Sequence, residues 1–447
     1  MHTILSLFLT SLLVTIVKST PPTLAGDIDI IKRDVAITGG GAGGIYCAIS
    51  LQDQGKSVIV IEKKDRLGGH VETYVDPGTG IAMDYGFALF ENTSVVNDYF
   101  ARFDIPLVKI RQFNITWSTY DFRTGKTAVP SYNPSREEVL AAFATYFAQL
   151  ARYPELEQGI FLPSPIPEDL YMPFGRFVDK YKIHAAVPTM FLLNAGVGDL
   201  LSNAVLEVFR ALPRKLVEGV LTSTVLTPAN HTVIELYRRA EAELSSTSSL
   251  FLSAEVVETH QITLLVRTPT TDGKLTLIQA KRLLIAIPPN PALLDPWLRL
   301  TPTEHSLFTR YISTGLYVGL VNGTRLPPTA GILNLAPNHT MYSFPYLPDT
   351  EAAVRHHMLD DIRRIQRENP DRFPGTGAPA FVAFAAHAPY NLQVSGEDIK
   401  NGFYERLYAL QGEMNTFWTG SAWAADISGD IWKFSRGVVL PMLVGEL

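Results

Sequence analysis

The sequence lacks several features that would narrow its function quickly. Cys47 is its single cysteine in 447 residues, so no disulfide can form within the chain. No histidines, cysteines or carboxylates occur at metal-ligand spacing. Basic and acidic residues are nearly balanced, at 38 and 44, without a basic stripe, which disfavours nucleic-acid binding. The hydrophobic fraction of 46% predicts a large core, divided between two domains.

The N-terminal apolar run is too short to cross a membrane. Residues 4–17 are uncharged, but they amount to only about half to three-quarters of a membrane span, and Lys18 then interrupts them. This pattern predicts a signal peptide at residues 1–19, with an uncleaved signal anchor as the alternative. We expect no stable membrane span after cleavage, and a location in the secretory pathway. N-linked glycans are predicted at Asn92, Asn114, Asn230, Asn322 and Asn338.

Glycine is concentrated in one stretch, VAITGGGAGGIYCA at residues 35–48. Its apolar start predicts a buried strand, and residues 45–51 predict a helix. Between them, Gly39, Gly41 and Gly44 match G-x-G-x-x-G. This spacing allows a tight turn, close approach of the backbone to a pyrophosphate, and close packing of the helix on the strand. The helix N-terminus would offer N–H groups and a partial positive charge to phosphates.

A second strand and an acidic residue complete this pattern. SVIVIE at residues 57–62 predicts a buried strand that ends in Glu62. An acidic residue about 20 positions beyond the glycines binds the ribose of an adenine dinucleotide. A glycine-rich loop without a ligand is the alternative for the glycines alone. The acid in register makes that alternative weaker, and we predict dinucleotide binding.

The remaining sequence alternates between two patterns. From about residue 92, amphipathic helices with proline-rich connections dominate, and Ser135 and Glu138 predict a capping box at the start of one of them. Strand patterns return near residue 250, and the tail predicts a strand, a glycine turn and a helix. We predict an α/β fold with a Rossmann-like domain and an inserted α+β substrate domain. The predicted segments are 33–92, 226–292 and 401–447 for the Rossmann-like domain, and 93–225 and 293–400 for the substrate domain.

Taken together, the motifs resemble those of flavin-containing amine oxidoreductases with an FAD domain of the glutathione-reductase type. Within that superfamily the chain is most similar to fungal FAD-dependent oxidoreductases of the β-cyclopiazonate dehydrogenase family. The motifs are ITGGGAGG with Glu62, RLGGH at 66–70, DYG at 84–86, AEV at 254–256, LLIAIPP at 283–289 and TFWTGSAW at 416–423.

The resemblance implies that FAD is the cofactor, and it assigns residues to its parts. The ADP half would be held by Gly39, Gly41, Gly44 and Glu62. Arg66, Gly68 and Gly69, followed by His70, would lie beside the pyrophosphate. Further contacts would come from Asp84, from the Val256 backbone at the adenine, and from Gly420 and Ser421 at the ribityl and pyrophosphate region.

Two positions depart from the superfamily's pattern. Many amine oxidases have an arginine after the second glycine pair, where this chain has His70. Residues 311–321, where a flavin-proximal lysine is expected, contain no lysine. Both departures disfavour the oxidation of simple monoamines and polyamines.

Proton transfer requires a residue near the flavin, which accepts a hydride at N5 in such enzymes. His387, just after an apolar strand, is the candidate catalytic base, and His70 is the alternative, because a histidine with a near-neutral pKa suits proton transfer. Either one has a structural alternative, as a phosphate ligand or a strand-end residue. Trp418 and Trp423 flank the last glycine turn and are expected to form aromatic walls for a flat, apolar substrate, with core packing as the alternative.

The predicted function is therefore an FAD-dependent oxidoreductase. It would desaturate or oxidatively cyclise a lipophilic secondary metabolite such as a terpenoid, pyrone or alkaloid, by hydride transfer to flavin N5. A redox-neutral flavin-dependent isomerase or mutase, and a secreted flavin-binding protein without catalysis, are the alternatives. The sequence makes no prediction about oligomeric state.

Overall fold

The computed structural model describes residues 29–86, 88–110, 115–130, 132–260, 262–268, 275–327, 329–334 and 350–447. The predicted signal peptide and two of the predicted glycan sites, Asn114 and Asn338, lie outside these residues. The strands are β1 Asp29–Thr38, β2 Val58–Ile61, β3 Thr73–Val75, β4 Ala82–Asp84, β5 Leu107–Lys109, β6 Thr116–Asp121, β7 Lys126–Thr127, β8 Leu226–Pro228, β9 Leu250–Phe251, β10 Glu255–His260, β11 Thr263–Arg267, β12 Leu275–Ile285, β13 Ile312–Asn322, β14 Ala330–Asn334, β15 Ala380–Gln393 and β16 Thr416–Trp418.

Helices account for much of the remaining chain. The α-helices are α1 Ala42–Asp53, α2 Ser94–Arg102, α3 Arg136–Leu150, α4 Glu168–Tyr171, α5 Phe174–Tyr181, α6 Val187–Leu193, α7 Val205–Ala211, α8 Arg214–Leu221, α9 Ile234–Ser246, α10 Pro291–Leu294, α11 Pro302–Phe308, α12 Glu351–Glu368, α13 Gly396–Lys400, α14 Phe403–Tyr408, α15 Ser428–Phe434 and α16 Leu440–Gly445. Within the part of the chain that the structure describes, no helix combines the length and hydropathy needed to span a bilayer.

A seven-stranded sheet organises the described part of the molecule. Its order is β10–β11–β12–β1–β2–β9, and β16 also pairs with β12. Strands β9, β2, β1, β12 and β16 are parallel, whereas β10 and β11 are antiparallel to their neighbours. These strands come from three separated parts of the chain, 29–61, 250–285 and 416–418. The boundaries of the two domains, and the glutathione-reductase type of the FAD domain, remain predictions.

The sequence explains why the centre of this sheet is parallel and buried. All four residues of β2 and the last four of β1 are buried, as expected for parallel strands that are covered on both faces. Helix α1 packs against β2, α9 and α15. Cys47 on α1 is fully buried, and burial raises the pKa of its thiol to about 12, so it is an unreactive core residue.

A second group of elements packs beside the sheet. Helix α3 begins with the predicted capping box: the Glu138 N–H donates to Ser135 Oγ at 3.2 Å, and the Ser135 N–H donates to Glu138 Oε2 at 2.7 Å. Strands β13 and β15 form a long antiparallel pair in which His387 lies opposite Leu316. The prediction that His387 follows a strand is wrong, because β15 continues to Gln393 and His387 lies within it. The predicted α/β fold class is confirmed.

Candidate functional site

The carboxyl ends of four parallel strands meet at one edge of the large sheet. The residues just beyond these ends are joined by three backbone hydrogen bonds: Gly39 N to Ile61 O at 2.9 Å, Ala286 N to Thr38 O at 2.8 Å, and Thr419 N to Ile285 O at 3.0 Å. In open parallel sheets, ligands bind outside the carboxyl ends of the strands. The first glycine motif, Glu62 and the Gly420 turn therefore share the edge where a ligand is expected.

Each glycine of the first motif has a different reason to be glycine. Gly39 has a φ of +101°, which permits the tight turn after β1. A Cβ on Gly44 would lie 2.0 Å from the Gly39 carbonyl oxygen, so α1 can approach the turn only with glycine there. A Cβ on Gly41 would contact only the Gly69 Cα, at 3.8 Å. Gly41 therefore faces open space, which fits a position that a pyrophosphate approaches.

The Glu62 carboxylate is fixed by the backbone around it. Its Oε2 accepts a hydrogen bond from Gly40 N at 2.6 Å, and its Oε1 accepts one from Lys64 N at 2.7 Å. The Ala254 N–H donates to the Glu62 carbonyl at 2.9 Å, which brings the half-buried Val256 alongside the end of β2. The acid and the predicted adenine-contacting residue are thus neighbours in space.

The second glycine motif lies against the first. The Gly68 N–H donates to Gly40 O at 2.9 Å, and a Cβ on Gly69 would lie 3.1 Å from the Gly41 Cα. The Arg66 guanidinium is paired with Glu72 at 2.7 Å. Arg66 is therefore held by a carboxylate of its own loop, and its predicted place beside the pyrophosphate stays a prediction.

His70 and His387 are in contact, with ring centroids 4.5 Å apart. His387 is 2% exposed, and among the described residues neither of its ring nitrogens has a hydrogen-bond partner. Burial, reinforced by His387 and Lys64, lowers the pKa of His70 to about 4, although the His70 ring is exposed to solvent. We call the solvent-exposed space at the His70 ring the cleft. Burial lowers the pKa of His387 too, so both rings are neutral at pH 7.

Two further residues lie in this region, and sequence reasoning missed both. Burial raises the pKa of the Asp426 carboxyl to about 6, opposed by Arg210 and by a hydrogen bond to Ser421. Burial, and secondarily the charge of Asp426, raise the pKa of Tyr390, whose ring lies 5.9 Å from that of His70. Neither residue belongs to a recognisable sequence motif, so only the folded structure brings them to attention.

Residues 420–424, which we call the tethered turn, are held by side chains from distant segments. Four consecutive backbone carbonyls accept hydrogen bonds: Ser421 O from Arg210 Nη2 at 2.9 Å, Ala422 O from Tyr311 Oη at 3.1 Å, Trp423 O from Tyr408 Oη at 2.6 Å, and Ala424 O from Arg210 Nε at 2.8 Å. Arg210 also pairs with the buried Glu207. Gly420 has a φ of +119°, and a Cβ there would meet nothing within 4 Å. The turn is rigidly placed, and its glycine is open to a ligand.

The expectation of tryptophan walls beside this turn is wrong. Trp418 and Trp423 are both fully buried, with ring centroids 5.7 Å apart, and Trp418 packs against Phe308 at 5.1 Å. Strand β16 continues the interior of the sheet beside β12, so the rings on either side of the turn enter the core. They stabilise the turn by packing in the core, and they do not line the cleft.

Asp84 is engaged by the protein itself. The Thr73 hydroxyl donates to one of its carboxylate oxygens, and the Val233 N–H donates to the other at 2.9 Å. These contacts join the β3–β4 hairpin to the start of α9. They indicate a structural role, and the cofactor contact proposed for Asp84 from sequence stays a prediction.

The site's geometry fits a dinucleotide with a flavin. The open cradle at Gly41 and Gly420 leaves space for a pyrophosphate, Glu62 lies at the end of β2, and the nitrogens of His387 lack partners. Residues 37–103 match a family model described as an NAD(P)-binding Rossmann-like domain.

Similar proteins point to the same cofactor. The chain is 43% identical to the FAD-dependent oxidoreductase oblC of Cochliobolus heterostrophus, over 94% of this chain and 92% of that protein. It is 33% identical to β-cyclopiazonate dehydrogenase of Aspergillus oryzae, over 92% and 93%. The chain therefore belongs to the family of fungal FAD-dependent oxidoreductases that includes β-cyclopiazonate dehydrogenase. This confirms the resemblance found in the sequence.

Solved structures share the fold at low sequence identity. A fatty acid isomerase from P. acnes aligns with a TM-score of 0.69 at 18% identity, covering 92% of this chain and 98% of that one. Putrescine oxidase bound to putrescine aligns with a TM-score of 0.63 at 15% identity, covering 93% and 100%. At such identities the likeness supports the architecture and leaves the reaction to be argued from the site.

Proposed function

We propose that this protein oxidises a lipophilic secondary metabolite, by desaturation or oxidative cyclisation at a C–C or C–N bond, with FAD as the electron acceptor. Family membership makes it an FAD-dependent oxidoreductase, and one relative is named a dehydrogenase. The observation that supports the proposal best is the contact of the two glycine motifs at Gly41 and Gly69, on the same sheet edge as the open Gly420.

The residues at this edge would hold the cofactor. Glu62 would accept hydrogen bonds from the ribose hydroxyls, and the N-terminus of α1, which has no side-chain cap, would offer its N–H groups to the pyrophosphate. Gly420 and Ser421, on the tethered turn, would approach the ribityl chain. When bound, FAD supplies a two-electron acceptor that takes a hydride at N5.

Proton removal is assigned to the histidine pair. A neutral imidazole can accept a proton, and the low pKa values of His70 and His387 keep both rings neutral at pH 7. We assign the base to His387, because its ring nitrogens are unpaired among the described residues. His70 is the exposed ring of the pair, and it would orient His387 towards the cleft.

The location in the secretory pathway is part of the proposal. Three predicted glycan sites fall within the described residues, at Asn92, Asn230 and Asn322, and all three side chains are exposed. Exposure is what a glycosyltransferase requires of an acceptor. The signal peptide at residues 1–19 remains a sequence-based proposal.

Anaerobic mixing with candidate metabolites tests the reaction. An oxidoreductase should bleach its own flavin stoichiometrically when it meets its substrate without oxygen, and the colour should return when oxygen is admitted. Product formation with a permanently oxidised flavin would favour a redox-neutral isomerase and contradict the proposal. Pathway intermediates that accumulate in a strain lacking the gene are the metabolites to test first.

A further inference from the structure

A cavity of about 180 Å³ adjoins the tethered turn at Ala424. Apolar side chains form much of its wall, among them Leu150, Tyr153, Ile160 and Phe209. Arg210, which holds Ser421 and Ala424 by their carbonyls, also lines it. The cavity therefore touches the segment that the proposed function places at the flavin.

The charged groups around the cavity are paired, with one exception. Arg210 pairs with Glu207, Arg214 with Glu218 at 3.3 Å, Lys215 with Glu157 at 3.9 Å, and Lys433 with Asp430 at 3.5 Å. Glu91 lines the same cavity and is 2% exposed. Within the described ranges, its carboxyl has neither an ion pair nor a hydrogen bond. A buried polar group without a partner is rare in folded proteins.

The absence of a side chain at Gly429 leaves space for the unpaired Glu91 carboxyl. A Cβ on Gly429 would lie 2.5 Å from Glu91 Oε2, so only glycine at that position leaves the carboxyl where it is. Tyr153 Oη, also on the cavity wall, is a second buried polar atom for which the described residues provide no hydrogen-bond partner. Two unsatisfied polar groups thus border one largely apolar space.

The protonation state of Glu91 determines which polar groups of a ligand can form hydrogen bonds with it. Burial, and secondarily the nearby Asp430, raise the pKa of the Glu91 carboxyl well above its usual value, opposed by Lys433 and Lys215, and this shift favours the neutral form of the group. A neutral carboxyl both donates and accepts a hydrogen bond. A hydroxyl or carbonyl group satisfies it directly, whereas an ammonium group would first require its ionisation.

We propose that this cavity binds the apolar body of a neutral, oxygen-bearing small molecule, whose hydroxyl or carbonyl group forms hydrogen bonds with Glu91 and Tyr153. An apolar cavity of about 150 Å³ holds a benzene molecule, so the volume here suits one six-membered ring with a small substituent. That this molecule is part of the oxidised metabolite rests on the proposed function, whereas binding in the cavity does not.

Ligand-observed fluorine NMR on the FAD-loaded full chain tests the proposal with three probes that share the 4-fluorobenzyl group and differ in the substituent on its CH2 carbon. These are 4-fluorobenzyl alcohol, 4-fluorotoluene and 4-fluorobenzylamine. We expect the alcohol to bind about fivefold more tightly than the toluene, as for one added buried hydrogen bond, and more tightly than the amine. Glu91→Leu should abolish the preference for the alcohol. Glu91→Gln should retain it, because a carboxamide also donates and accepts.

Two further variants make the result specific. Glu157→Gln changes a carboxyl that borders the cavity but is paired with Lys215, and it should leave the preference unchanged. Tyr153→Phe should reduce the preference about twofold, and it provides an answer if Glu91→Leu fails to fold. Equal binding of the alcohol and the toluene by the wild type, or an unaltered preference in Tyr153→Phe, would overturn the proposal.

The amine probe separates a cation site from a neutral one. Tighter binding of the amine than of the alcohol, lost in Glu91→Gln, would show an ionised Glu91 and overturn the assignment. Flavin absorption of the same samples distinguishes a failure of the proposed function from a failure of the cavity proposal. A flavoprotein that shows the alcohol preference but oxidises no metabolite contradicts the proposed function alone, whereas one that oxidises a metabolite without the preference contradicts this inference alone.

Discussion

Replacement of Gly41 by valine should remove FAD and leave the protein folded. The backbone of Gly41 is extended, with a φ of −85° and a ψ of −169°, which any residue adopts. Its Cβ would approach only the Gly69 Cα, at an ordinary contact distance of 3.8 Å. The new side chain would therefore project into the space that the pyrophosphate is expected to occupy. We expect the affinity for FAD to fall at least about 100-fold, or about 2.7 kcal/mol.

The loss of FAD affinity can be measured by thermal unfolding as well as by flavin absorption. FAD at about 100 times its dissociation constant should stabilise the wild-type protein by about 2.7 kcal/mol, which for a chain of this length raises Tm by about 3 °C. Gly41→Val should show no such rise, while its apoprotein should unfold within about 1 °C of the wild-type apoprotein. Differential scanning fluorimetry with and without FAD measures both quantities.

Two other glycines serve as controls for this prediction. In Gly44→Val the Cβ would lie 2.0 Å from the Gly39 carbonyl, so the apoprotein itself should be destabilised. Gly445→Val, where a Cβ meets no atom within 4 Å, should change neither stability nor FAD binding. Wild-type affinity for FAD in Gly41→Val, or a loss of stability as large as that of Gly44→Val, would refute the reasoning.

Four other predictions follow from the site. His387→Ala should slow anaerobic flavin reduction by substrate at least about 100-fold with FAD absorption intact, and a rate within about threefold of wild type would make His387 structural. Folding lowers the pKa of His70 from about 6.5 to about 4, so the free energy of unfolding should fall as the pH drops from about 6.5 towards 4. His70→Gln should flatten that part of the curve of Tm against pH, and an unchanged curve would contradict the pKa shift. Arg210→Met leaves Glu207 buried without its cation and should cost about 3–5 kcal/mol in urea unfolding, whereas an unaltered midpoint would count against the pairing. Glycosidase treatment should increase gel mobility, and N-terminal sequencing should begin near residue 20; an intact Met1 without glycans would exclude the secretory route.

The features that the sequence predicted correctly are local ones. The first glycine motif, Glu62 and the capping box at Ser135 each depend on residues within about 25 positions, and the structure shows the turn, the strand-end acid and the cap at those residues, whereas the FAD contacts of the glycines and Glu62 stay predictions. Their geometry follows from the backbone preferences of the residues themselves. Such signals can be read without knowledge of the rest of the chain.

The features that the sequence missed arise from contacts between distant segments. Arg210 donates hydrogen bonds to Leu392 and to the tethered turn, and Glu91 owes its space to Gly429. His70, beside the second glycine motif, contacts His387 on β15, a strand from a distant part of the chain. The misplacement of Trp418 has the same origin, because the sequence around a glycine turn does not say which side of the turn is covered by other elements.

The tethered turn also has a consequence for the order in which the molecule assembles. Its carbonyls are held from α7, from the residue before β13 and from the end of α14, so its shape depends on three segments that fold around it. The turn is not defined in a chain that ends before residue 425. Nor is it defined while these three segments are not yet packed around it, and FAD then lacks part of its binding site. Uptake of FAD should therefore be one of the last events of folding, and the yellow colour should appear together with resistance to proteolysis.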